Sequence, residues 1–425
     1  MEGESIIEKK KRKNHKWILV AAARPNFMKI APLMRAISEY NSINNNIIKP
    51  VLVHTGQHYD DNMSDAFFRD LNIPEPNIHL GIGSGSHAEQ TGRVLIAFEE
   101  VLLKEKPDLV IVVGDVNSTM ACSLAAVKLH IPVAHVEAGL RSFDRTMPEE
   151  INRLVTDAIA DYLFTPSPDG DENLSREGVP KEKIFLVGDI MVDSLFFNLE
   201  KAKNTDILAR LGLVNGAKYQ TVSGRPDGNG NTNGIRPYAL LTLHRPANVD
   251  NPKTFGRIMR GLKQVAALVP ILFPIHPRTR KQIQAFGMED AFVFHPSSIT
   301  NADNSSVIVA SEAAWQSKST GKIHCFEPLG YLEFLNLMAH AKIVLTDSGG
   351  IQEETTVLKI PCITLRDSTE RPITLTEGTN VLVGDDPEKI ISEAKQAMAG
   401  HTRQGRCPAI WDGHTAERIV QILSK

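Results

Sequence analysis

The chain has 425 residues, a length that predicts two domains rather than one. Its composition, 42% hydrophobic and 23% charged residues, is typical of a globular protein, and no apolar run reaches the roughly 20 residues of a membrane span. A formal net charge of −3 argues against nucleic acid as a partner, because nucleic-acid-binding proteins usually carry a basic face. The four cysteines form no CxxC pair, which argues against a disulfide framework and favours a cytoplasmic protein.

The first half of the chain has the element order of a parallel α/β sheet. Residues 1–15 form a basic tail that we predict to be disordered. Short apolar runs separated by amphipathic stretches then predict strands joined by helices that cover both faces of the sheet. The predicted strands are 17–23, 50–54, 108–113, 132–136 and 162–164, and the predicted helices are 29–40, 64–71, 87–103, 118–129 and 149–160. We expect this N-terminal doubly wound domain to span residues 16–189.

The same pattern restarts in the second half, over residues 190–400. The predicted strands are 238–243, 270–275, 342–346, 361–365 and 380–383, and the predicted helices are 255–268, 331–340, 351–358 and 387–398. Segments 215–236 and 297–322, rich in small polar residues, are predicted surface insertions. Residues 401–425 include an amphipathic stretch that we expect to pack back on the first domain. Two such domains facing each other predict a ligand in the cleft at the carboxyl ends of their strands.

Three carboxylates follow predicted strand ends or open a helix in the first domain: Asp115, Glu137 and Glu149. Like charges that share a cleft repel, so we expect at least one of them to hold its proton more tightly. Such a set suits proton removal and proton donation within one site. The alternative is that these acids cap helices or pair with Arg141 and Arg153.

Cations and glycines in both halves predict an anion site. Arg24 and Lys29 follow the first strand, where they could neutralise a diphosphate. In segment 345–354 a buried strand ends at Ser348, Gly349 and Gly350, and a predicted helix begins. The free N–H groups of that helix could bind phosphate, and the acids that follow could bind ribose hydroxyls, which together predict a nucleotide. The alternative is a strand–helix turn whose glycines only permit close packing.

Two histidines, His244 and His276, each follow a predicted strand of the second domain and should face the cleft. His54 and His58 share a loop rather than a helix and no HExxH occurs, so we predict no metal site. The GxGxxA match at residues 83–88 lies outside the first βα turn, so we predict no NAD.

In this order, these motifs resemble the non-hydrolysing UDP-N-acetylglucosamine 2-epimerase family. The resemblance runs from about residue 17 to the C-terminus, apart from the two insertions. Its most specific segments are Arg24-Pro25 with Lys29, Gly114-Asp115, residues 135–141, Pro148-Glu149-Glu150, His244-Arg245, residues 346–354 and residues 369–372.

The resemblance implies a glycosyltransferase-B-type fold, with the active site between two Rossmann-like domains, and a homodimer. It implies that UDP is eliminated across C1 and C2 of UDP-N-acetylglucosamine without a cofactor or metal. The 2-acetamidoglucal so formed then takes UDP back with the C2 proton on the opposite face, which yields UDP-N-acetylmannosamine. The acid–base set would be Asp115, Glu137 and Glu149, with His244 close to the diphosphate or the sugar. The residues implied as ligands of the UDP-sugar are Arg24, Lys29, Arg141, His276, Ser348, Gly349, Gly350, Glu354 and Arg371.

Some members of this family are activated by a second UDP-N-acetylglucosamine. Gln57, Arg93 and Arg245 match that pattern, whereas Asp60 and the short 141–148 loop depart from it. The short loop also resembles branches that act on oxidised or diacetamido UDP-sugars. A UDP-sugar glycosyltransferase of the same fold, a hydrolysing epimerase and a catalytically silent sensor remain as alternatives.

Overall fold

The computed structural model describes residues 15–22, 24–44, 47–56, 73–214, 234–295 and 321–425 of the chain. The predicted helix at 64–71 lies outside the described residues, as do most of the tail and most of both insertions. His15, which we had assigned to the tail, already belongs to the first strand.

The first half forms one parallel sheet of seven strands in the order β3-β2-β1-β4-β5-β6-β7. Its strands are β1 His15–Ala21, β2 Ile48–His54, β3 Ile78–His79, β4 Leu109–Val113, β5 Val133–Val136, β6 Tyr162–Thr165 and β7 Ile184–Leu186. Every residue of β4 is buried, which explains its unbroken apolar sequence. Successive residues of β1 alternate between two cores: Leu19 packs in one and Ile18 in the other.

Helices cover both faces of this first sheet, as a parallel sheet requires. They are α1 Arg24–Asn44, α2 His87–Glu105, α3 Asn117–Lys128, α4 Pro148–Ile159 and α5 Pro168–Arg176. Helix α1 begins five residues before the predicted start and contains Pro32. Ile30 and Leu33 of α1 are fully buried in the core that contains Leu19.

The second half repeats this architecture with the strand order β10-β11-β9-β8-β12-β13-β14. Its strands are β8 Ala239–Thr242, β9 Ile271–Pro274, β10 Phe292–Phe294, β11 Ile323–Phe326, β12 Ile343–Thr346, β13 Cys362–Thr364 and β14 Asn380–Leu382. The helices are α6 Ile190–Lys203, α7 Ile207–Arg210, α8 Pro246–Val249, α9 Pro252–Leu268, α10 Pro277–Ala285, α11 Tyr331–His340, α12 Gly349–Leu358, α13 Ile373–Thr376, α14 Pro387–Met398 and α15 Thr415–Leu423. The predicted fold of two doubly wound parallel sheets is confirmed.

The C-terminal helix α15 lies against the first half of the chain. Ile419 and Val420 are buried in the core that α1 covers, and Trp411 donates from Nε1 to the Pro166 carbonyl at 2.8 Å. The limits of the two domains, at 189/190 and 400/401, stay predictions. Across the described ranges, we find no helix with the length and apolar character needed to cross a bilayer.

A buried histidine in β11 makes stability depend on pH. His324 is 4% exposed and its ring lies 3.0 Å from Nε2 of His295. Burial, aided by His295, lowers the pKa of His324 to about 4. The unfolded chain takes up this proton near pH 6.5 and the folded chain only near pH 4, so stability is lost as pH falls between these values. We expect a loss of up to about 3 kcal/mol.

The measurement is urea unfolding between pH 4 and pH 7. His324→Asn should flatten this part of the profile, whereas the exposed His401→Asn should leave it unchanged. An equal pH dependence in wild type and His324→Asn would contradict the prediction.

Candidate active site

The turn after β4 brings Lys29 against the backbone. Gly114 has φ +68°, and a Cβ there would lie 2.9 Å from the Lys29 Nζ. Only glycine permits both this conformation and this approach. Asp115, the next residue, accepts from Arg153 of α4 at 3.0 Å.

The pKa of Asp115 is set by these neighbours. Burial alone would raise the pKa of the Asp115 carboxyl, but the charges of Arg153 and Lys29 outweigh it and lower the pKa. We had expected mutual repulsion to make at least one of the three predicted acids hold its proton, and Asp115 does the opposite. Its carboxylate is ionised at neutral pH.

Glu137 follows β5 and is held in an unusual conformation. Its φ of +70° is uncommon for a residue with a side chain, and such strain is often found at functional sites. The buried carboxylate forms an ion pair with Lys29 through Oε2, while Oε1 is buried without a partner in the part of the chain that the structure describes. Lys29 therefore links the end of β5 to the turn after β4.

Beneath this turn lies a buried network centred on Asp157 of α4. Asp157 lies 2.6 Å from Nδ1 of His135 and 2.7 Å from NH1 of Arg141, and it accepts from the Gly139 N–H at 3.0 Å. The other ring nitrogen of His135 lies 2.8 Å from the Gly114 carbonyl oxygen. The network ties β5 to the turn that presents Asp115.

The structure places Arg141 in this network rather than on the cleft surface. Its side chain is 1% exposed and also forms a bidentate pair with Glu177, at 2.8 and 2.7 Å. We therefore exclude Arg141 from the ligand set that we propose below. Sequence alone did not indicate Asp157 or Glu177 as its partners, because both come from separate helical segments.

The two acids that open α4 differ sharply. Glu150 is buried and accepts from the backbone N–H groups of Ser142 and Phe143, each at 2.9 Å, so it fixes the short loop that precedes the helix. Glu149 is partly exposed, and within the described ranges its side chain makes no hydrogen bond or ion pair. Glu149 is thus available to a ligand, whereas Glu150 is structural.

In the second domain, Asp347 fixes the loop after β8. The fully buried Asp347 carboxylate accepts from the backbone N–H groups of His244 and Arg245, at 2.9 and 2.8 Å. It also lies 3.2 Å from Nδ1 of His244. The His244 ring is tilted against that of His276, which caps α10, with 6.0 Å between ring centroids. The two predicted histidines therefore lie side by side.

The N-terminus of α12 lies beside Arg371. A Cβ on Gly349 would be 2.6 Å from NH1 of Arg371, so a larger residue here would push the Arg371 side chain away. Ser348 is the N-cap residue, although its side chain makes no capping bond. Glu354 accepts from the Tyr331 hydroxyl at 2.9 Å, and burial raises its pKa to about 7. The anion site predicted at these residues stays a prediction.

Two further acids lie between the domains: Glu353, which the sequence offered with Glu354 as an acceptor for sugar hydroxyls, and Asp189, which sequence reasoning did not assign to the site. Glu353 of α12 is buried and paired with Arg371, and burial raises its pKa well above the usual range. Asp189 caps α6 and is fully buried; burial and the nearby Glu137 raise its pKa to about 7. Raised pKa values therefore occur at Asp189, Glu353 and Glu354.

Only some of the residues that match the pattern for activation by a second UDP-N-acetylglucosamine lie within the described ranges. Arg93 donates to the carbonyls of Ile82 and Ser84, at 2.8 and 3.0 Å, and so holds the loop before α2. Arg245 lies 3.7 Å from Glu370. Gln57 and Asp60 lie outside the described residues. Activation by a second sugar nucleotide therefore stays a prediction.

The fold is that of an α/β protein with two parallel seven-stranded sheets, and buried charged side chains collect at the strand ends. Residues 41–424 match the family model described as UDP-N-acetylglucosamine 2-epimerase. The chain is 44% identical over 408 residues to the UDP-N-acetylglucosamine 2-epimerase of Methanocaldococcus jannaschii, which covers 96% of this chain and 98% of the relative. The chain belongs to the UDP-N-acetylglucosamine 2-epimerase family.

Two further similarities bear on the ligand. A crystal structure of the Methanocaldococcus jannaschii enzyme in complex with UDP-GlcNAc and UDP has a TM-score of 0.76 and 41% identity, covering 96% of this chain and 99% of that one. The chain is also 37% identical to the UDP-2,3-diacetamido-2,3-dideoxy-D-glucuronate 2-epimerase of Pseudomonas aeruginosa, over 96% of this chain and 99% of the relative. The glycosyltransferase-B-type fold implied by the sequence is confirmed.

Proposed function

We propose that this protein interconverts UDP-N-acetylglucosamine and UDP-N-acetylmannosamine. The observation that supports this most is the position of an ionised Asp115, held by Arg153, next to Lys29 and Glu137. UDP would leave by elimination across C1 and C2, and the 2-acetamidoglucal would take UDP back with inversion at C2. Each direction needs one group to remove a proton and one to deliver it.

The roles of the side chains follow from their surroundings. Asp115 is ionised and so is suited to accept a proton, while Glu149 is partly exposed. His244, held by Asp347, lies beside His276, and we assign both to the diphosphate. The remaining proposed ligands of the UDP-sugar are Arg24, Lys29, Ser348, Gly349, Gly350, Glu354 and Arg371.

The departing diphosphate must be stabilised for this elimination to occur. Lys29 from one domain and the N-terminus of α12 from the other supply positive charge and free N–H groups. Fixed donors of this kind act most strongly where charge develops in the transition state. The weakly acidic C2 proton can then be removed by a carboxylate.

A second candidate is the 2-epimerisation of a diacetamido UDP-glucuronate. It is favoured by the Pseudomonas aeruginosa relative and by the short loop at 142–147, which Glu150 fixes. The chemistry at C1 and C2 would be the same, and only the contacts to C3 and C6 of the sugar would differ.

The test is to incubate the purified protein with each UDP-sugar separately and to identify the products by anion-exchange chromatography and mass spectrometry. We expect UDP-N-acetylmannosamine from UDP-N-acetylglucosamine, with a higher kcat/KM than for the diacetamido substrate. Turnover of the diacetamido substrate alone would establish the second candidate. Turnover of neither would contradict both.

We also propose a cytoplasmic homodimer that supplies polysaccharide biosynthesis. Helix α2 exposes Ile96 and Leu103, at 63% and 58%, two turns apart on one face. Exposed apolar residues in such a row suit burial against a second copy. Light scattering should give twice the chain mass, and Ile96→Glu should reduce it; a monomeric wild type would contradict the proposal.

A further inference from the structure

The short loop before α4 exposes an aromatic side chain to solvent. Phe143 is 74% exposed, which makes it the most exposed phenylalanine in the described ranges. Its backbone has a φ of +59°, a conformation that is strained for a bulky residue and lowers the stability of the fold. A ring that stays in water also contributes little hydrophobic stabilisation. The packing of the chain itself therefore does not explain this side chain.

The hydrogen bonds of the loop explain the backbone of Phe143 but not its ring. The Glu150 carboxylate accepts from the consecutive N–H groups of Ser142 and Phe143, each at 2.9 Å. Consecutive N–H groups that point at one anion usually place one residue in the left-handed region. Glycine or asparagine adopts that conformation with less strain than phenylalanine. The loop would therefore form more easily with a different residue at position 143.

The loop is fixed on both sides of Phe143. On one side, Ser142 also donates from Oγ to Glu150 at 3.0 Å. On the other side, Oδ1 of Asp144 accepts from the N–H and the hydroxyl of Thr146, at 2.9 and 2.6 Å. The backbone of Phe143 is thus held in place before a ligand arrives, which reduces the conformational entropy lost on binding.

Two buried ion pairs connect this loop to the proposed acid–base residue. Glu150, which binds the Phe143 N–H, pairs with NH1 of Arg153. NH2 of Arg153 lies 3.0 Å from Oδ2 of Asp115. Only one carboxylate and one guanidinium therefore separate the Phe143 backbone from the Asp115 carboxylate. Phe143 lies at the edge of the space in which Asp115 would meet the sugar.

We propose that the Phe143 ring packs against the sugar of the bound UDP-sugar and retains the glycal in the site. The inference rests on the proposed function. Elimination breaks the C1–O bond to UDP, transfers the C2 proton to the protein and leaves a double bond between C1 and C2. The glycal is then no longer bonded to the diphosphate, so the ligands of UDP do not hold it. An aromatic ring over its C–H groups supplies apolar contact and excludes water.

The test compares the products of wild type, Phe143→Asn and Phe143→Tyr, each incubated with the UDP-sugar that the wild type epimerises. Proton NMR measures the ratio of free glycal to epimeric UDP-sugar. Asparagine removes the ring but tolerates a positive φ. We expect its ratio to rise at least about tenfold, because the glycal dissociates before UDP returns. Phe143→Tyr keeps the ring and should stay close to the wild type.

Three controls separate this role from a structural one. Phe143→Asn should not lower the unfolding temperature, because the ring is exposed and asparagine relieves the strain. Its affinity for UDP alone, measured by calorimetry, should equal that of the wild type, since Lys29 and the N-terminus of α12 are unchanged. Phe196→Ala removes a ring that is 40% exposed on α6 and should leave the product ratio unchanged.

The outcomes distinguish this inference from the proposed function. If the wild type epimerises and Phe143→Asn releases no more glycal than it does, the inference is wrong and the proposed function stands. A wild type that converts neither UDP-sugar contradicts the proposed function itself. A lower unfolding temperature in Phe143→Asn would show that the ring supports the fold. A lower mass in light scattering would show that a second copy covers the ring, and either result would overturn the proposal.

Discussion

Asp115→Asn is expected to lower the turnover of UDP-N-acetylglucosamine by at least about 100-fold while UDP still binds. The amide cannot take a proton, but it keeps the size and polarity of the side chain that Arg153 holds. Because Lys29 and the N-terminus of α12 are unchanged, the affinity for UDP should change little. The measurements are steady-state kinetics and calorimetric titration with UDP.

The matched control is Asp206→Asn. Asp206 is 65% exposed and pairs with the nearby Arg210, and it belongs to none of the segments that carry the candidate site. It should retain wild-type turnover. If Asp115→Asn kept most of its activity, Asp115 would have no acid–base role. If it lost UDP binding as well, its role would be structural.

Asp157→Ala is expected to lower the free energy of unfolding by about 3–5 kcal/mol. Asp157 is 2% exposed and is paired with both His135 and Arg141, so its removal leaves two buried cationic or donor groups without their acceptor. Burial opposes its ionisation, but His135 and Arg141 outweigh that effect and lower the pKa of Asp157. Its stabilisation is therefore present above about pH 4 and lost as pH falls below it.

Urea unfolding at pH 7 and at pH 3 measures this effect. The difference between wild type and Asp157→Ala should be large at pH 7 and smaller at pH 3. The control is Glu172→Ala, which removes an exposed pair with Arg176 and should cost less than about 1 kcal/mol. A loss at Asp157 no larger than at Glu172 would show that the buried network contributes nothing.

The architecture was predictable because it depends on local apolar patterns. The run at Leu109–Val113 is buried on both faces and could only be a central strand. The glycine pair at 349–350 marked the start of α12, and at Gly349 a Cβ would crowd Arg371. Element boundaries were less certain: α1 contains Pro32 and extends further at both ends than predicted.

The pairing of charges was not predictable, since it depends on long-range geometry. The sequence predicts Arg141 as a ligand in the cleft. In the structure its side chain is buried and paired with Asp157 and Glu177. Asp189 and Glu353 are 164 positions apart in the chain and meet only because both domains contribute to one cluster. The predicted domain limit falls at Asp189, but the local sequence did not assign Asp189 to the site. No pattern within either half could show that these acids share one space.

The most direct test of the proposed reaction is proton NMR of the purified protein with UDP-N-acetylglucosamine in D₂O, with no cofactor added. Removal and return of the C2 proton by protein carboxylates predicts UDP-N-acetylmannosamine that carries deuterium at C2. Product that retains the original proton at C2 would contradict exchange through Asp115 and its neighbours. Release of free UDP and N-acetylmannosamine would instead show the hydrolysing reaction, and the proposed return of UDP to the glycal would be wrong.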